Sequence, residues 1–392
     1  MNKKQRLYFI LLSISILYFI YIIIGFYLQG NLFYPKSYSI KLIFLEVTAV
    51  IMIIISLLFF MDRYSFYKKI GLFSINIHII EALCIAILII SLSALGGLTV
   101  YDYHIVLQKQ EDYFSIGIYL SDSYEPINFS GEHLNNPVLT RSDITDIQAD
   151  FIADPFLIYR NNTFYMFFEI YSSSISKGVI GLAESNDGIN WSYKQIILDE
   201  SFHLSYPCVF EYNNEYYMIP ETEATHSIRL YKAHDFPYNW SFVKTIINGG
   251  DFVDNTIFYY NDTWWLFTET LNDYSLHLYF SDSPLDTWIE HPHSPIISQD
   301  ANISRPGGNV IVYNNRIFRY AQDDFPSYGG QVWGFEITEL TKKEYHEKRI
   351  GDKPILEGYD YWNEFGMHQI SICKLNTKWI AAVDGKGHPL GR

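Results

Sequence analysis

Apolar and polar positions fall into two regimes along this chain. Residues 7–28, 42–61 and 70–100 are near-continuous runs of Ile, Leu, Phe, Val and Tyr. The first two are close to the roughly 20 residues that a helix needs to cross a bilayer, and the third is long enough to span with its ends in the interfaces. From residue 113 onward the apolar runs shorten, fill with aromatic and β-branched residues, and are broken by Asn, Asp, Gly and Pro, which is the signature of strands and turns. The pattern therefore predicts residues 1–100 as a bundle of about three transmembrane α-helices, with spans near 7–28, 42–61 and 71–99. A linker over 101–112 and an all-β domain over 113–392 follow.

Within the β region one stretch recurs. FIADPFLIYRNNTFYMFFE, residues 151–169, opens on Asp-Pro, runs through an apolar strand, turns at Asn161-Asn162 and ends an aromatic strand on a carboxylate. Variants lie at 206–221, 253–269 and 305–323, with a weaker copy at 366–384. Short strands repeating about every 50 residues predict a β-propeller, here of five blades. Second hairpins follow at 178–184, 227–233 and 275–281, and Trp191, Trp240 and Trp288 recur in register after them; their expected role is packing between blades. YFSIGIYL at 113–120 precedes the first repeat and is placed to complete the last blade and close the ring. Residues 331–338 read as a strand of the fourth blade, and 342–348 as a short charged helix.

Charge changes the picture. Of the formal net charge of −15, residues 1–100 contribute +5 and the remainder −20. So acidic a domain is unsuited to nucleic acid or an anionic membrane surface, and a neutral ligand such as a sugar fits better. Lys3, Lys4 and Arg6 before the first apolar run, and Arg63, Lys68 and Lys69 between the second and third, put those segments in the cytoplasm by the positive-inside rule. Three crossings then place the propeller on the extracytoplasmic side. Glu46, His78 and Glu81 lie within the apolar runs, where fastening helices together is the expected role. Cys84, Cys208 and Cys373 form no metal-ligand spacing, and neither a metal nor a cofactor is expected.

The innermost strands of a propeller line a central funnel, so polar residues at their ends meet. The repeats bring Asp154, Glu169, His203, Tyr206, Glu221, Asp254, Glu269, Arg305, Gln322, Asp323, His368 and Asp384 to that region. Glycoside hydrolysis needs two carboxyl groups flanking the scissile bond, one protonated and one ionised, and crowding of carboxylates raises one pKa to supply the acid. Tyr206 and Tyr328 are candidates to stack on a sugar.

At these motifs the chain resembles a known family. FIADPF, KGVIGLAES, HLSYPCVFE, YYMIPE, SRPGG, RYAQD and GMH closely resemble the N-terminal domain of glucosamine inositolphosphorylceramide transferases, over roughly residues 114–385. The resemblance implies a five-bladed propeller similar to family 43 glycoside hydrolases. It also implies that the transferase chemistry of the plant members belongs to a separate C-terminal domain, which this chain, ending at Arg392, is expected to lack. Relatives show two adjacent His where this chain has His368-Gln369. By the family 43 arrangement Asp154 is the expected base and Asp254 the pKa tuner and orienter, with Glu221 or Glu269 as acid and Glu221 the choice. Glu169, His203, Tyr206, Glu269, Arg305, Gln322, Asp323, Tyr328 and His368 are the expected substrate-binding residues. The expected function is a membrane-anchored, extracytoplasmic, glycoside hydrolase-like propeller acting on cell-envelope or extracellular glycan. The alternative is a non-catalytic module that binds a glycan or glycolipid headgroup for a partner glycosyltransferase.

Overall fold

The computed structural model describes residues 113–388; the expected membrane spans, Glu46, His78, Glu81 and Cys84 lie outside them. The described residues form a five-bladed β-propeller. Its strands in chain order are β1 (Tyr113–Ser121), β2 (Phe151–Arg160), β3 (Thr163–Ser172), β4 (Lys177–Ser185), β5 (Ser192–Leu198), β6 (Ser205–Tyr212), β7 (Glu215–Glu221), β8 (Ser227–Asp235), β9 (Asn239–Asn248) and β10 (Phe252–Tyr260). They continue with β11 (Thr263–Thr270), β12 (Ser275–Ser281), β13 (Ile289–Glu290), β14 (Ile311–Tyr313), β15 (Arg316–Asp323), β16 (Gln331–Leu340), β17 (Tyr345–Arg349), β18 (Leu356–Glu357), β19 (Ile370–Leu375) and β20 (Lys378–Gly387). Blades I, II and III are the meanders β2–β5, β6–β9 and β10–β13. Blade IV is β14–β17 with β18 on its flank, and blade V is β19, β20 and β1.

The ring closes as expected: β1 pairs antiparallel with β20, from Tyr113 opposite Gly387 to Ser121 opposite Trp379. Closure covers the outward edge of β20, an edge that a sheet protein must otherwise protect. The inner hairpins turn at Asn161-Asn162, Asn213-Asn214, Asn261-Asp262 and Asn314-Asn315, all with positive φ. Asn and Asp tolerate that conformation, and it gives the turn twist that suits a tight hairpin.

The cores lie between blades. One cluster joins Phe167 and Ile180 of blade I to Met218 and Leu230 of blade II and on to Leu266 of blade III. Others join blades V and I through Ile118, Ile152 and Phe168, blades IV and V through Phe318, Ile370 and Trp379, and blades III and IV through Trp265, Phe267 and Ile337. Trp240 and Trp288 pack into the first of these clusters and Trp191 against the second, as their register predicts; the Trp240 ring meets Phe167 of the neighbouring blade at 5.8 Å.

Residues 345–349 are strand, not the expected charged helix. Alternation explains it: Tyr345 is buried, and Glu347 turns inward to bind the buried Arg319 at 2.6 Å, while His346 and Lys348 point outward. Pairing with the edge of β16 outweighs the local preference of a charged segment. Among the described residues no helix is long and apolar enough to cross a membrane.

Candidate functional site

The site begins with a defect repeated in three blades. Each inner strand of blades I, II and III breaks register near its start, between Ala153 and Phe156, Ser205 and Cys208, and Val253 and Thr256. Such a β-bulge bends the strand and re-aims a side chain. Asp154, Tyr206 and Asp254 occupy the bulges with φ of 54°, 44° and 51°, a left-handed conformation that Asp tolerates and that is strained for a bulky aromatic such as Tyr206.

Each bulge turns a backbone N–H out of the ladder, and a carboxylate from the preceding blade accepts it. Asp154 N–H donates to Asp384 Oδ2 at 3.0 Å, Tyr206 N–H to Asp154 Oδ2 at 3.2 Å, and Asp254 N–H to Glu221 Oε2 at 3.3 Å. The acids are thus built into the closure of the ring.

Two cations neutralise part of the group. Arg305 Nε lies 2.6 Å from Asp254 Oδ2, with Glu221 at 3.8 Å and Asp324 at 4.0 Å from the same guanidinium. Gln322 Nε2 donates to the same Asp254 oxygen. On the facing side Asp384 accepts from His368 Nδ1 at 2.8 Å and from the N–H groups of His368 and Gln369. That orients His368 Nε2 toward Asp154 Oδ1, 3.5 Å away. Glu169 and Glu269 have no cation of this kind. Glu169 Oε1 is 3.5 Å from Nε2 of His203, whose Nδ1 accepts from Gly178 N–H; burial holds that imidazole below its usual pKa. Glu269 accepts from the Ser304 hydroxyl at 3.1 Å.

Burial dominates the electrostatics. Desolvation, reinforced by neighbouring acids, raises Glu169 and Glu221 well above the ordinary carboxylate range, in Glu221 against the opposing charge of Arg305. Asp154 is pushed up to about 7 by burial, with His368 opposing, and Glu269 to about 7 by burial, with Arg305 opposing. Burial pulls His368 down, but Asp384 and Asp154 outweigh it and carry the imidazole up to about 9.

The structure brings together Asp154, Glu169, Glu221, Asp254, Glu269, Arg305, Gln322 and His368 as the repeats predict, with His203 beside Glu169. Tyr328 stands at the mouth, 45% exposed, its ring 5.3 Å from the Arg305 guanidinium and 5.2 Å from His368. Gly329 beside it has φ 71°, and a side chain there would come within 3.2 Å of His368 Cβ, so the loop rests on the site through a glycine.

Two expectations need correction. Tyr206 is fully buried and offers no face to a sugar. Its hydroxyl accepts from Gly308 N–H at 2.8 Å and bonds Thr256 Oγ1 at 2.8 Å, tying blade II to blades III and IV across the axis. Gly308, with φ 135°, lies where a Cβ would be 1.7 Å from Ile370 O, so the approach requires glycine. Removing only the hydroxyl, as Tyr206→Phe, leaves the Gly308 N–H without a partner; the expected loss of stability is about 1–3 kcal/mol, read from urea midpoints. Asp323 is likewise structural. Its carboxylate accepts from Asn302, Gln331 and Trp333 at 2.6, 2.7 and 3.0 Å, and these bonds outweigh burial and hold it below the usual range.

Asp324 and Asp384 are the site residues that sequence reasoning left without a role. Asp324 follows the last residue of β15, so the acid that meets Arg305 is the neighbour of the one expected. A hollow of about 470 Å³ lies away from the site, lined by outer-strand and loop residues such as Lys244, Phe280 and Lys342, none of them among the acids.

Comparison with known proteins agrees with this architecture. The family model described as "Glucosamine inositolphosphorylceramide transferase 1, N-terminal" matches residues 108–386. Glucosamine inositolphosphorylceramide transferase 1 of Oryza sativa subsp. japonica is 35% identical over 309 residues, covering 73% of this chain and 41% of the relative. That of Arabidopsis thaliana is 34% identical over 302 residues, covering 71% and 39%. The chain thus spans about two fifths of the length of these relatives. Among solved structures, β-1,2-mannobiose phosphorylase from Listeria innocua, in complex with β-1,2-mannobiose, superposes with a TM-score of 0.50 at 13% identity, over 69% of this chain and 96% of that one; at that identity the likeness concerns the fold alone. With a family model that spans the propeller and relatives that share a third of its residues, this chain belongs to the glucosamine inositolphosphorylceramide transferase 1 N-terminal family.

Proposed function

We propose that the propeller is a saccharide-recognition domain whose axial funnel holds a glycan or glycolipid headgroup. The observation that carries this reading is the way the acids are held. Asp254 is locked to Arg305 and Gln322, Asp384 accepts from His368 and backbone N–H groups, and Asp154 and Glu221 accept from backbone amides at the bulges. Rigid, oriented acceptors with an exposed aromatic ring at the mouth suit the hydroxyl pattern and apolar face of a sugar. The relatives are named as glucosamine inositolphosphorylceramide transferases, which supports a glycolipid partner and a role beside a glycosyltransferase. The apolar runs before residue 100 and the Lys/Arg between them support membrane anchoring with the propeller outside.

A second reading, glycoside hydrolysis, is favoured by one feature. Glu221 is held toward its protonated form while Asp154 faces the His368 imidazole, which favours its ionised form; an acid and a base are the two partners such chemistry needs.

One experiment separates the readings: the full chain in detergent is screened against glycan arrays and chromogenic glycosides beside Asp154→Asn and Glu221→Gln. Recognition expects retained saccharide binding and no turnover by the parent protein. Turnover lost in both variants, by about 10²-fold or more as for removal of an acid or base, establishes hydrolysis instead. A parent protein that neither binds nor cleaves any saccharide sinks both.

A further inference from the structure

The loops that frame the funnel on blades III and IV carry apolar side chains into solvent. Two residues beyond Glu269, the β11–β12 loop exposes Leu271, at 41%, and Tyr274. Directly beyond Asp324, the β15–β16 loop exposes Phe325, at 68%, and Tyr328. Residues 300–302 join the two loops into one surface. Asp300 N–H donates to Tyr274 O at 3.2 Å, Asp324 N–H to Ala301 O at 2.9 Å, and Asn302 Nδ2 to Phe325 O at 3.2 Å. Tyr328, 5.3 Å from the Arg305 guanidinium, is the inner border of this patch. Tyr361, whose carbonyl accepts from His388 N–H just past the mouth end of β20, is exposed at the same end.

The opposite end of the propeller differs in kind. Its exposed tyrosines spend their hydroxyls on polar neighbours, Tyr159 on Asn162, Tyr238 on Glu184 and Tyr259 on Asp262. Its exposed aliphatic residues, Ile189, Ile289 and Val312, belong to three different blades, and apolar residues scattered singly are normal on a surface. Two facts say what covers the continuous patch at the mouth. The first is where the chain enters. Tyr113 stands opposite Gly387 at the mouth end of β20, and the Phe114 ring lies 4.7 Å from His368. The apolar runs at 7–28, 42–61 and 70–100 all precede this point, and the twelve residues 101–112 between them and the propeller reach roughly 40 Å at most. The second is charge. Segments 270–275, 299–304 and 324–330 contain Asp273, Asp300 and Asp324 and no Lys or Arg, so an anionic lipid surface repels this face and a zwitterionic one does not.

We propose that the mouth of the propeller docks on the surface of a zwitterionic bilayer, with Leu271 and Phe325 inserted and Tyr274 and Tyr328 at the level of the headgroups. Aliphatic and Phe side chains gain by leaving water, and tyrosine, apolar in body and polar at its tip, suits the interface between lipid and water. This rests on the membrane anchoring proposed above and goes further. Anchoring alone leaves the propeller free to turn any face to the membrane, whereas docking fixes its orientation and opens the funnel onto the lipid surface instead of onto bulk solvent.

The test uses the full chain reconstituted into phosphatidylcholine liposomes that contain a phosphatidylcholine with a diazirine on its acyl chain. Irradiation, digestion and mass spectrometry then locate the lipid adducts. The expected result is adducts on the loops at 271–274 and 325–328 as well as within the apolar runs before residue 101. The turns at Asn161-Asn162 and Asn261-Asp262, at the far end, stay unlabelled. Leu271→Ser combined with Phe325→Ser lowers the loop adducts about tenfold or more, because two apolar side chains no longer favour the lipid, and leaves those in the apolar runs unchanged. Both positions are exposed, and tryptophan fluorescence confirms that the variant is folded. Adducts confined to the apolar runs overturn docking, leave anchoring standing and give the patch to a protein partner. Labelling of both ends of the propeller alike overturns docking too, as do loop adducts that survive the double substitution. Loop adducts that appear only when phosphatidylserine is added overturn the choice of a zwitterionic surface. A chain that neither floats with the liposomes after a carbonate wash nor carries any adduct overturns anchoring and docking together.

Discussion

Replacing Arg305 with Met is expected to destabilise the propeller by about 3–5 kcal/mol at neutral pH, the usual cost of removing one partner from a buried ion pair. The guanidinium is largely buried, and it stands 2.6 Å from Asp254, 3.8 Å from Glu221 and 4.0 Å from Asp324. Met preserves much of the side-chain volume, so the loss is one of charge and hydrogen bonding rather than packing. Asp254 keeps Gln322 but loses its charged partner. The deficit has a predictable pH dependence. Arg305 holds the Glu221, Glu269 and Asp324 carboxyls below where burial alone would put them. Without it they bind protons more tightly in the folded state, so the gap between variant and parent is small near pH 5 and widens as pH rises. All eight tryptophans lie between residues 191 and 379, so urea unfolding followed by their fluorescence reports on the propeller. A gap that is constant from pH 5 to 8 rules out this account of Arg305.

The comparison of Arg305 with Tyr206 shows which parts of the site were legible in the sequence. The repeat itself was plain, because alternating strands and Asn-Asn turns are local signals. So was the identity of the acids, since each lies toward the end of the second strand of an inner hairpin: Glu169, Glu221 and Glu269 stand opposite Ala153, Ser205 and Val253. The bulges were half legible. Pro155 and Pro207 inside apolar strands mark such positions, because proline in a sheet is confined to edges and irregularities, yet blade III makes the same bulge at Asp254-Asn255 without one. What the bulge does to direction was not legible. It sends Asp154 and Asp254 among the acids but lets Tyr206 reach across to Gly308 of a blade two positions on, a contact with a sequence separation of about a hundred residues. The same limit decides Asp323 against Asp324. One residue of register separates an acid bonded to Trp333 from one beside Arg305, and the strand end that sets the register depends on the loop through Gly329.

The stability of the propeller is expected to fall by on the order of 4 kcal/mol between pH 5 and pH 9. The sign follows from the funnel groups. Asp154 and Glu269 both titrate at about 7 in the folded protein, against ordinary values of 3.8 and 4.5, so the folded state holds protons that the unfolded chain has released. Their contribution is fully present below the unfolded values and is lost as pH rises through 7. His368 acts in the same direction: folded, it is charged up to about 9 through Asp384 and Asp154, against 6.5 unfolded, and its contribution is lost between those values. These groups share one site and repel or attract one another, so protons leave the set rather than each member alone, and the net loss is smaller than the separate losses added. Groups shifted the other way offset only part of this: burial holds His203 and His291 below 6.5, so each adds stability as pH rises toward 7. Glu336, drawn down to about 2 by Arg316 and Lys348, and Asp323, held low by its hydrogen bonds, are ionised in both states throughout this range and alter stability only in stronger acid. Urea midpoints at pH 5, 7 and 9 should therefore decline, with Asp154→Asn flattening the slope between 5 and 7. Midpoints that stay level or rise with pH mean that the acids are not crowded together in the folded protein.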